Sequence, residues 1–318
     1  MMIAMVLLRA AIFTAELLLH MYPFIVLGII IAEFIVNLGI VNKISILAKP
    51  VINFSHLKKE YGASFLMAFA SPPAADAMLA EYYEKKLITK KEMFLAAMIN
   101  SSISININDF FYIVPVLIPL LGVTGLEYAL IFLLIGFVQA GILMVASRLM
   151  LKRRHEVFED SMKKKERICL ADAFTQSLKG SIPTIKRITL TIVPALFVTC
   201  ILIEAEVFDA LASYISGVSY YLPIPPAGLG IITALFGNFI AACAVASSLL
   251  SAGLITGREV ILTLLIGNVL TSIVTAFKTI MPYYVGIFGF RPGLELTAIF
   301  MAIWNATIIT FIAVLMLF

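Results

Sequence analysis

A chain of 318 residues in which 62% are apolar and only 13% charged, with a mean hydropathy of +1.05, falls outside the soluble globular class, where about a quarter of residues are charged. It reads as an all-α, polytopic membrane protein. The net charge is only +4, and no nucleic-acid partner is expected. Cys169, Cys200 and Cys243 stand far apart without CxxC spacing, so no disulfide framework, metal site or cofactor is expected.

Met1–His20 has no basic stretch ahead of its apolar run, holds Arg9 inside it and lacks a small-x-small cleavage site, so it is expected to be retained. Met1–Leu19 is expected to lie along the interface, or else to be a short span. Residues 21–40 are expected to cross the membrane, with Pro23 and Glu33 in the span. Lys43, Lys49, Lys58 and Lys59 mark 42–60 as cytoplasmic. In 62–83, Ser71-Pro72-Pro73 removes two backbone donors from the middle of an apolar segment and predicts a re-entrant hairpin with Asp76 just beyond the break.

After the basic loop 85–91, residues 92–121 are expected to cross outward and 126–150 to return. The run Asn100-Ser101-Ser102-Ile103-Ser104-Ile105-Asn106-Ile107-Asn108-Asp109 alternates polar and apolar residues in mid-span and predicts a broken helix. Ten of the 23 Lys and Arg residues then fall in 151–188, which predicts a cytoplasmic linker over 151–187 at the inner face of the plasma membrane. Acidic residues interspersed at Glu156, Glu159, Asp160 and Glu166 make it a solvated linker more readily than a contact for anionic membrane lipids. Ala171–Lys186 is expected to be interfacial, 188–205 a span ending near Glu204, 229–250 a second hairpin broken at Gly237-Asn238, and 259–288 and 296–317 two further spans.

The chain is written twice. Residues 69–122 match 236–289 without a gap at 14 of 54 positions, and one inserted residue then restores the register through 139 and 307. The organisation expected is a first repeat over 1–150, the linker over 151–187, and a second repeat over 188–318. Each repeat would hold an interfacial helix, a re-entrant hairpin, a broken transmembrane helix and flanking spans. Basic residues crowd the loops 42–60 and 85–91 of the first repeat, whereas 209–228 and 252–258 of the second hold only Arg258. This reversal of charge bias predicts inverted topology.

Under an inverted two-fold, both breaks and both polar runs meet near the midplane. Ser71, Asp76, Asn100, Ser101, Ser102, Ser104, Asn106, Asn108 and Asp109 of one repeat, and Asn238, Asn268, Thr271, Ser272, Thr275 and Lys278 of the other, are the candidate solute- or ion-binding residues. Individually, such side chains also serve as interhelical contacts. Asp109 and Lys278 are ionisable groups inside spans, readable as an ion pair between the repeats or as coupling groups. Glu33 and Glu204, each ten residues after a proline, are expected to accept hydrogen bonds from hairpin N–H groups, with a proton-carrying role as the alternative.

The runs Phe69-Ala-Ser-Pro-Pro-Ala-Ala-Asp-Ala-Met, Tyr83-Glu-Lys-Lys-Leu-Ile-Thr-Lys-Lys-Glu92 and Asn100-Ser-Ser-Ile-Ser resemble the gate, or nucleoside-recognition, domain, and most closely its uncharacterised archaeal branch. The resemblance implies paired hairpins and broken helices around a central site, and a homodimer. It does not bring iron transport, because the chain has no GxxxxGK[ST] loop and only Cys243 stands near a break. Nor does it bring nucleoside transport, because the acidic and Gln-rich contacts of that branch have no match here.

The function expected is secondary transport of a small polar solute by alternating access, coupled to a Na+ or H+ gradient or to a partner subunit. A non-transporting membrane scaffold is the alternative. An enzyme is not expected, since His20, His56 and His155 lie at helix ends or in the linker and no nucleophile–base spacing is present.

Overall fold

The computed structural model describes residues 2–38, 48–152, 170–204, 224–237 and 239–317, and among these there is helix but no strand. In chain order the helices are α1 (Met2–Leu38), α2 (Lys49–Ser55), α3 (Tyr61–Ala70), α4 (Pro72–Glu84), α5 (Lys90–Met150), α6 (Leu170–Glu204), α7 (Gly228–Gly237), α8 (Phe239–Ser251), α9 (Gly257–Thr275), α10 (Met281–Phe288) and α11 (Phe290–Leu317). A π-helical turn, Ala276–Ile280, joins α9 to α10. The stretches Leu117–Met150, Gly257–Phe288 and Phe290–Leu317 are long and apolar enough to cross a membrane. Leu130, Leu134 and Phe137, on one face of α5, are exposed, as a lipid-facing stripe would be.

The repetition in the sequence recurs as local structure. The pair α3 and α4, of 10 and 13 residues, is matched 167 positions later by α7 and α8, also of 10 and 13. Thr89 and Glu92 close a capping box at the start of α5; Thr256 and Glu259 close the same box at the start of α9. Each Thr hydroxyl takes the N–H of the Glu three residues on, while that Glu returns to the Thr N–H, satisfying two donors that a helix start leaves bare. Gly122 interrupts α5 at φ 57°, and Gly289 separates α10 from α11 at φ 89°. Side chains disfavour this left-handed region, so glycine permits the chain to turn here.

Packing exchanges parts between the halves. One apolar core gathers Met78, Leu79 and Ile99 of the first half around Tyr284, Phe288 and Leu296 of the second. The other gathers Ile231, Ala242 and Leu265 of the second half around Leu117, Leu121 and Tyr128 of the first. Leu117, Leu121 and Tyr128 are the repeat counterparts of Tyr284, Phe288 and Leu296 once the inserted residue is counted. Each hairpin therefore packs against its own following helix and against the segment after Pro115 or Pro282 in the other half. Between the halves, α1 lies along α6, and α10 packs on α6 and α4. α1 approaches α4 closely at Gly28, where a Cβ would come within 2.5 Å of the Ala74 backbone.

Three expectations are corrected. Residues 2–38 form one helix through Pro23, and residues 170–204 form another through Pro183 and Pro194, so neither segment expected to be interfacial is a helix separate from the residues expected to span. The run Asn100–Asp109 does not break α5: Ser104 Oγ donates to Asn100 O at 2.7 Å and Asn106 Nδ2 to Ser102 O at 2.7 Å. Polar side chains that bond the carbonyl four residues back are satisfied within a continuous helix. Its counterpart is also helical and widens only at the π turn. The tip residue Asn238 and residues 153–169 of the basic linker lie outside the described residues.

Candidate functional site

Ser71 ends α3 and begins α4. Its extended backbone (φ −158°, ψ 103°) leaves the α3 direction, its side chain accepts the Ala74 N–H, and Pro72 and Pro73 occupy the first helical positions of α4, where a missing N–H costs nothing. The double proline is thus a helix start, and it forms one edge of a cavity of about 620 Å³ lined by both halves of the chain. Small-molecule sites commonly measure about 300–1,000 Å³.

The polar wall comes from both polar runs. Ser101, Asn106 and Asp109 of α5 face it from one side; Asn268, Thr271, Ser272 and Thr275 of α9 and Lys278 of the π turn line the other. Ser101 and Asn268 are repeat counterparts, and each reaches a tyrosine of the opposite half. The Ser101 hydroxyl lies 3.1 Å from that of Tyr284, and Asn268 stands near Tyr128. The hydroxyls of Thr271 and Ser272 donate back to Asn268 O and Val269 O at 3.3 and 2.6 Å. Asn106 has its Nδ2 engaged on Ser102 O, while its Oδ1 is buried with no partner.

Asp109 and Lys278 line the same cavity, but no ion pair within 4.0 Å joins them to each other or to any other described residue. The interlocking pair that their spacing allowed is therefore not formed.

The remaining candidates lie off the cavity. Asp76, on the buried face of α4, accepts a 2.7 Å hydrogen bond from Tyr283, a cavity residue, and its Oδ1 has no partner. Asn100 and Ser102 are buried with side-chain polar atoms unpartnered, Ser104 is satisfied by Asn100 O, and Asn108 is exposed. Glu33 and Glu204 depart from the role expected of them. Glu33 pairs with Lys85, at the far end of α4 from the break, and the same ammonium lies 3.5 Å from Glu81. Glu204 stands 4.0 Å from Arg9. Among the described residues no hydrogen bond joins either acid to an N–H group at a hairpin break. Among the described residues no three His, Cys, Asp or Glu side chains gather into a metal-binding group.

Sequence reasoning missed the aromatic wall. Tyr283, Tyr284, Phe132, Phe300 and Trp304 all line the cavity; Phe132 and Trp304 meet edge to face at 5.3 Å, and Tyr284 and Phe300 at 6.3 Å. Phe132 and Phe300 are counterparts in the repeat alignment, which was the one available signal. Gly136 was missed as well: a Cβ there would stand 2.0 Å from Asn106 Nδ2, so its lack of a side chain makes room for the amide.

No family model and no solved structure matches the sequence. Three proteins of Methanocaldococcus jannaschii are similar to nearly the whole chain. Uncharacterized protein MJ1556 is 32% identical over 289 residues, 90% of each chain. Uncharacterized protein MJ0880 is 25% identical over 293 residues, 92% of this chain and 93% of its own. Uncharacterized protein MJ0871 is 26% identical over 280 residues, 86% of each. By the extent and identity of the first of these matches, the chain belongs to the same family as MJ1556.

Proposed function

We propose that the chain is a multi-pass plasma-membrane transporter of the gate-domain kind, built from two inverted repeats. It would carry a small polar solute by alternating access through the cavity between them. The observation that carries this reading is the composition of the cavity wall: polar side chains of both repeats, two of them charged and not paired with each other, enclose a volume suited to a small molecule. A scaffold would be better served by a dry and fully paired centre, whereas here Asn106 keeps a buried acceptor without a partner, and such an atom costs free energy unless water or a ligand meets it. The exchanged packing of the hairpins supplies the moving unit, since each hairpin is held by elements of both halves. Coupling comes from Na+ or H+, the linker 151–187 faces the cytoplasm, and topology is inverted between repeats.

The test is a thermal-shift screen of the detergent-purified protein against nucleosides, amino acids, divalent metals and sodium, repeated with Asn106→Ala and Asn268→Ala. A ligand bound to the folded state raises apparent stability. The proposal expects a shift with one class that is lost in both variants; no shift with any class would favour the scaffold.

A further inference from the structure

We propose that the solute is a zwitterion with an apolar body, an α-amino acid bearing a large apolar side chain. The inference rests on reading the cavity as the solute site and goes further by naming the chemistry it accepts. Asp109 and Asn106 stand one turn apart on α5 and both line the cavity. Because the Asn106 Nδ2 donates to Ser102 O, the unpartnered atom of this buried amide is Oδ1, an acceptor. A carboxylate and a carbonyl oxygen side by side suit an ammonium group, which has three N–H donors and no acceptor. Across the cavity, Lys278 lies between Thr275 and Thr279 in sequence, and all three line the wall. An ammonium side chain flanked by hydroxyls suits a carboxylate.

The charge balance narrows the class. Asp109 and Lys278 have no ion-pair partner within 4.0 Å among the described residues. A solute with one charge would compensate one of them and leave the other unmet, and an uncharged nucleoside would leave both. A zwitterion compensates both at once and adds no net charge. The rest of the wall, with Phe132, Tyr284, Phe300 and Trp304, offers aromatic faces and edges to an apolar side chain.

The experiment compares L-phenylalanine with phenethylamine, which lacks the carboxylate, phenylpropionate, which lacks the ammonium, and adenosine, by thermal shift of the purified full-length protein. L-phenylalanine is expected to bind at least about tenfold tighter than either single-charge analogue, the difference that one hydrogen bond to a charged group supplies. Asp109→Asn should close the gap to phenylpropionate, and Lys278→Gln the gap to phenethylamine. The wild-type series alone keeps the proposal testable if a variant fails to fold. Equal binding of all three phenyl compounds, tighter binding of adenosine, or no shift with L-phenylalanine overturns it. Binding of L-phenylalanine without flux in proteoliposomes would uphold the site and overturn transport; adenosine flux without phenylalanine binding would do the reverse.

Discussion

Tyr283, in the second half of the chain, donates a 2.7 Å hydrogen bond to Oδ2 of Asp76, in the hairpin of the first half. Asp76 is 2% exposed and its other oxygen has no partner, so this one bond satisfies only half of the carboxylate, and it ties the hairpin to the second half of the chain. Tyr283 also lines the cavity, so the bond joins the cavity wall to the hairpin.

Tyr283→Phe should lower unfolding stability by about 1–3 kcal/mol, because it strands a buried acceptor. Asp76→Asn in the Tyr283→Phe background should cost less than the sum of the single changes, since both act on one bond. Thermal unfolding of the four proteins measures the coupling, and strict additivity would show that the bond contributes nothing.

Glycines at open positions should respond in opposite directions. At neither Gly122 nor Gly141 would a Cβ meet any atom within 4 Å, yet Gly122 has φ 57°. Gly122→Ala should therefore destabilise by about 1–3 kcal/mol through backbone strain alone. Gly141→Ala, inside the helical run of α5, should stabilise by up to about 1 kcal/mol. Equal melting temperatures for the two variants would contradict the turn assigned to Gly122.

Gly136→Ala should impair the site without unfolding the protein. The new Cβ would fall 2.0 Å from Asn106 Nδ2, and a side chain can swing aside where backbone cannot. Asn106 would leave Ser102 O and misplace its Oδ1, so solute affinity should fall by about tenfold. Comparing the ligand-induced shift with the melting temperature of the free protein separates the two effects; an unchanged ligand shift would remove Asn106 from the site.

Much of this was legible because it is local. Ser71-Pro72-Pro73 marked a helix break and restart, and the Leu-Ile-Thr-x-x-Glu segments that begin α5 and α9 occur in both copies. The polar run of α5 reads as a break in the sequence, since alternation of Ser and Asn with Ile does not reveal bonds to the carbonyl four residues back. Glu33 and Glu204 were paired by position after proline, yet Lys85, which binds Glu33, has Ala252 as its counterpart, so the symmetry ends at the side chains. The aromatic wall depends on which segments the halves exchange, and that arises only from tertiary packing.

Counterflow in proteoliposomes tests the central claim most directly. Vesicles preloaded with unlabelled L-phenylalanine should accumulate labelled L-phenylalanine transiently, and Asn106→Ala should abolish the accumulation while the protein remains folded. Labelled solute entering at the rate of protein-free vesicles, from a preparation whose melting temperature shows it to be native, would contradict transport through this cavity.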